Sequence, residues 1–182
     1  MHVRGLWMVL LSAGLLGLAA CQAAVAAPAA QEAAKKDVVL KASQITARIF
    51  PESVFYRGQV APVQMRNAGG VHFADGYYVL AGMVDASGYA SDVKEKYQGY
   101  FLVEVPIEIN GQSLKPGAYG IGFMENSKLV VTDVGGNTVL EIAGERDADI
   151  KRPVPLQVIA APEAGSYRLY LGRNFVSIKR GS

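Results

Sequence analysis

Residues 100–111 read Tyr100-Phe101-Leu102-Val103-Glu104-Val105-Pro106-Ile107-Glu108-Ile109-Asn110-Gly111. The odd positions are Phe101, Val103, Val105, Ile107 and Ile109, whereas Glu104, Pro106 and Glu108 fall on even ones. This alternation is that of a strand with one face in a core and the other at least partly wet. Asn110-Gly111 then supplies two residues that tolerate positive φ, as a tight hairpin turn demands. Pro106 has no N–H to donate, so the strand is expected at a sheet edge or bulged at that point.

The same pattern continues outward. In residues 114–123 a Pro116-Gly117 turn precedes Tyr119, Ile121 and Phe123, which point one way, while Ala118, Gly120 and Gly122 point the other. Short strands are expected at 54–57, 71–73, 77–84, 129–134, 138–142, 154–160, 166–171 and 175–179, the last two joined through Gly172, Arg173 and Asn174 as a closing hairpin. Only two segments suit helix. In 42–49, Ile45 and Ile49 stand four apart before Pro51; in 92–97, Asp92 is placed to cap with Glu95 at the third position. Many short strands separated by Gly, Asn, Asp and Pro predict an all-β fold, an antiparallel β-sandwich with one or two short helices, over residues 37–182. The open edge implied by Pro106 favours a sandwich over a closed barrel.

The run Ile109-Asn110-Gly111-Gln112-Ser113-Leu114-Lys115-Pro116-Gly117-Ala118-Tyr119-Gly120-Ile121 resembles an element of a bacterial family of exported β-sandwich proteins of unknown function. The resemblance implies the sandwich and no activity.

The chain has 182 residues, 51% of them hydrophobic and 19% charged, with a net charge of +2. That length suits one domain, and the small charge leaves no electrostatic footprint for nucleic acid. Much of the apolar content lies near the start. Met1-His2-Val3-Arg4 is a short basic opening, followed by an apolar run to Ala20, so residues 1–20 read as a signal peptide. Leu18-Ala19-Ala20-Cys21 closes the run and resembles the lipobox of bacterial lipoproteins. The resemblance implies cleavage before Cys21, two or three acyl tails such as palmitate on that residue, and attachment to a membrane of the cell envelope. Two chains anchor stably where one does not. Gln22 after the cysteine resembles the sorting pattern for the outer membrane, and Ala-rich residues 21–36 read as a tether. Ala24-Val25-Ala26 also fits an ordinary signal-peptidase site, which would release a soluble periplasmic or secreted protein.

Chemistry is sparse. Beyond the leader the chain carries one histidine, His72, and no cysteine besides Cys21, so no metal site and no cofactor are expected. His72 reads as a histidine on the outer face of a strand. Glu104 and Glu108 share a strand face but stand about 13 Å apart, too far for a catalytic pair. No nucleophile, base and orienter assemble, and no catalytic residue is assigned. The 86–91 loop, bracketed by Asp85 and Asp92 and holding Tyr89, is the leading ligand-binding candidate, with Tyr77 and Tyr97 from the dense tyrosine region beside it. The expected function is a non-enzymatic envelope lipoprotein whose domain binds an envelope protein, a glycan or a small ligand. Two alternatives stand: an exported hydrolase using Asp85, Asp92 or Asp133, and a barrel carrier in which Gly120 and Gly122 leave interior room.

Overall fold

The computed structural model describes residues 36–181. The expected signal peptide, Cys21 and almost all of the expected tether lie outside the described residues. In chain order the strands are β1 (Val38–Lys41), β2 (Ser53–Tyr56), β3 (Gln59–His72), β4 (Tyr78–Val84), β5 (Gly99–Val103), β6 (Ile107–Ile109) and β7 (Gln112–Leu114). They continue with β8 (Gly117–Phe123), β9 (Lys128–Thr132), β10 (Thr138–Ala143), β11 (Glu145–Arg146), β12 (Leu156–Ala160), β13 (Ser166–Leu171) and β14 (Asn174–Arg180). All pairings are antiparallel. The larger sheet runs β1-β3-β4-β5-β8-β9-β10 with β2 on β3, and the smaller runs β12-β13-β14-β6-β7 with β11 on β14. The fold is the all-β sandwich that the alternation predicts.

The deciding stretch forms two strands. β5 belongs to the larger sheet and β6 to the smaller, and Pro106 sits where the chain crosses between them. Pro116 marks the return crossing, from β7 to β8. At such corners the backbone leaves its ladder anyway, so a missing N–H costs nothing there. The odd-numbered side chains from Phe101 to Ile109 nonetheless stay in one core throughout, because the chain steps across the interior without turning them over. Asn110 and Gly111 take φ of 46° and 82°, the hairpin turn expected of that pair.

Two apolar cores result. The first lies between the sheets and gathers Phe101, Val103, Ile107, Ile109, Ile121, Leu129, Val131, Leu169, Val176 and Ile178. The second covers the far face of the larger sheet, where the β2–β3 hairpin, helix α1 (Ser91–Lys96) and the 45–50 turn pack Ile45, Phe50, Tyr56, Leu80, Tyr89, Val93 and Tyr97 together. Sheet glycines make room for this layer. A Cβ on Gly82 would meet Phe50, one on Gly120 would meet Tyr97 Cδ2 at 2.3 Å, and one on Gly122 would meet the Glu95 carbonyl of α1 at 2.4 Å. The space beside Gly120 and Gly122 is therefore filled by protein, and the sheets stay open, so the barrel carrier is not the architecture.

The helical expectations need two corrections. Segment 42–49 is a single 3-10 turn, Ala42–Gln44, then extended backbone at Ile45 and a separate turn closed by Phe50 N on the Thr46 carbonyl. Burial of both Ile45 and Phe50 decides this, since one continuous helix would not aim both at the sheet. Helix α1 starts from Ala90 with no side-chain cap, which leaves Asp92 inside the first turn. There its charge suits the helix dipole.

Candidate functional site

The five proposed binding residues do not share one surface. Tyr97 is 1% exposed and lies flat on Tyr56, ring centroids 3.7 Å apart, over Gly120. Burial, then the neighbouring Tyr89, Tyr100 and Tyr56, pushes its hydroxyl well above the usual tyrosine range. Tyr89 is also buried, its hydroxyl 3.0 Å from the carbonyls of both Tyr56 and Gln59, so it braces the β2–β3 turn. Tyr77 stands half exposed beside the β3–β4 turn, after Asp75, whose carboxylate accepts from Arg180. Tyr89 and Asp92 line one shallow hollow with Arg57, Gln59, Ala90 and Val93. Asp85 does not line it, and accepts instead from Ser87 N.

The carboxylates of the hydrolase alternative serve their own turns. The backbone N–H of Ser87 holds Asp85 below the usual carboxylate range. Asn137, through side chain and backbone, does the same for Asp133, which also accepts from Gly135 N. Each carboxylate is thus engaged by its own turn. His72 lies on the sheet face away from the inter-sheet core, stacked on Tyr78 at 4.3 Å.

A larger hollow lies elsewhere, at the seam where the sheets end. β1 and β12 are terminal strands of their sheets, and the cleft of about 470 Å³ beside them is lined by β1, β12 and residues 66–69 of β3. Gly69 creates the seam. The position its Cβ would take is 2.8 Å from Val158 N, so only a glycine lets β12 settle on β3. Val154 and Ile159 on the wall are 42% and 38% exposed, and they differ from the other large exposed aliphatics among the described residues in adjoining this concavity. Lys41 and Arg66 are the charged lining residues, and among the described residues neither takes part in an ion pair. Asp37 secures the entrance to β1: Tyr167 donates to Oδ2 at 2.6 Å and Ala74 N to Oδ1 at 2.8 Å.

Sequence reasoning missed this cleft because β1 and most of β3 were not expected as strands. Gly69-Gly70 reads as a break in the chain, and only the approach of β12 shows why glycine stands there. The usable signal was Val38-Val39-Leu40, an apolar triplet one residue beyond the Ala-rich stretch 21–36. No family model, curated protein or solved structure matches the chain.

Proposed function

We propose that the chain is a bacterial envelope lipoprotein, held at the membrane by acylated Cys21, whose β-sandwich is a non-enzymatic binding domain. The observation that carries the reading is Cys21 itself, the only cysteine of the chain, placed directly after Leu18-Ala19-Ala20. Gln22 supports residence at the outer membrane. The binding half of the reading is supported by the cleft beside β1, which opens close to where the tether joins the sandwich, with a mostly aliphatic wall. Asp85 and Asp133 are each bound into their own turns, and neither lines the hollow that holds Asp92, so the three carboxylates of the hydrolase alternative do not share a site there.

Metabolic labelling with a fatty acid tests the anchor. Label is expected on the wild-type protein and absent from Cys21→Ser, with the wild type in the membrane fraction and the variant released from it. Label that survives the substitution, or that marks neither protein, contradicts the anchor. Release of unlabelled wild type would favour the soluble route through Ala24-Val25-Ala26.

A further inference from the structure

We propose that the β1–β12 cleft binds a single-chain anionic amphiphile, its alkyl chain along the aliphatic wall and its anionic head against Lys41 and Arg66. The inference rests on the reading of the sandwich as a binding domain and adds the chemistry of the ligand. The cleft, at about 470 Å³, falls within the roughly 300–1,000 Å³ of small-molecule sites. Nine of its fourteen lining residues are Val, Leu, Ile or Ala, and none is aromatic or acidic. Such a wall offers a flexible alkyl chain contact along its length; its polar members are Lys41, Arg66, Asn67 and Gln157, and it gives a sugar no aromatic ring to stack on.

The charge pattern chooses the head group. Along β1, Val39 packs towards the inter-sheet core and Leu40 towards the outer one, so Lys41 stands on the same side as Val39, at the cleft. Arg66 lines the same cleft from β3. Both cations lie at the rim of an apolar hollow, where an anion gains from each and a cation is repelled by both. Addition of a peptide strand to β12 is the competing use of such a seam. It requires an accessible wall of peptide N–H and C=O groups, whereas the accessible wall here is mainly apolar.

The test uses the full chain with Cys21→Ser, so that no detergent competes for the cleft, titrated calorimetrically with dodecanoate, dodecyltrimethylammonium and butyrate. Dodecanoate is expected to saturate at one molecule per chain, with the other two at least tenfold weaker. Replacing both Lys41→Glu and Arg66→Glu should weaken dodecanoate at least tenfold and strengthen the cationic probe. Ala160→Trp, at an exposed position on the wall, should abolish saturable binding of both C12 probes while circular dichroism shows the fold intact. Failure of dodecanoate to saturate, equal affinity for the two C12 probes, or survival of binding in folded Ala160→Trp would each overturn the proposal. So would an extended apolar hexapeptide that binds the cleft in preference to dodecanoate. The anchor at Cys21 is read separately by acyl labelling, so either conclusion can fail while the other stands.

Discussion

At the residue scale, the glycines of β8 set the limits of the molecule. Gly122 has no side chain because the backbone of α1 occupies the place where one would be, 2.4 Å from the Glu95 carbonyl. Backbone cannot rotate aside, so Gly122→Ala must push α1 away from the sheet. The expected loss is about 1–3 kcal/mol, the usual cost of overpacking. Gly111 provides the contrast: nothing lies within 4 Å of its Cβ position, but its φ is +82°. Gly111→Ala should therefore cost about 1–2 kcal/mol through backbone conformation alone. Urea unfolding checks both, a lower midpoint with unchanged slope being the expected result. The sequence shows Gly120 and Gly122 on one face of a strand. It does not show that Tyr97 and α1 fill the space, because that depends on residues more than twenty positions upstream in the chain.

At the scale of elements, alternation proved legible and sheet membership did not. Residues 100–109 alternate without interruption, yet their two halves belong to different sheets, since a period of two reports which face is buried and not which neighbour supplies the hydrogen bonds. β3 was legible only at its end, near Val71. Its earlier part carries Pro62, a register shift between Gln64 and Ala68, and paired glycines, each of which imitates a loop when the partner strands are unknown. The candidate site divided the same way. Tyrosine density was visible, but Tyr89 and Tyr97 serve the second core, while the cleft sets β12, expected as a strand, against β1 and the part of β3 that were not. Tyr89 joins the 86–91 loop to the β2–β3 hairpin through its hydroxyl. Tyr89→Phe keeps the ring and deletes only that brace, so amide exchange should quicken in residues 54–61 and stay unchanged in β13 and β14. Uniform acceleration throughout the domain would show that the hairpin does not open as its own unit.

At the scale of the whole molecule, exposed turns and buried tyrosines give stability a defined dependence on pH. Asp85 and Asp133 are held below their ordinary value of 3.8 by hydrogen bonds made only in the folded state. A lowered folded pKa contributes stability above the unfolded value, and this is lost as pH falls through the folded one. Stability should thus hold above pH 5 and decline below about 4, with a shallower decline in Asp133→Asn. Tyr97 and Tyr167 act in the opposite sense. Burial raises both hydroxyls, aided at Tyr167 by the Asp37 carboxylate, so their contribution is complete below the ordinary value of 10.0 and is lost as pH rises beyond it. Tyr97→Phe should flatten the alkaline decline, and thermal unfolding across the pH range reads both limbs. The molecule is a sandwich carrying a cleft with a mostly aliphatic wall beside β1, and its proposed placement at a membrane depends on one thiol. The intact mass of the protein isolated from the membrane fraction of a bacterial host tests that most directly. A chain beginning at Cys21 and carrying two or three acyl groups is the result expected, whereas an unmodified chain beginning after Ala26 would contradict the lipoprotein assignment.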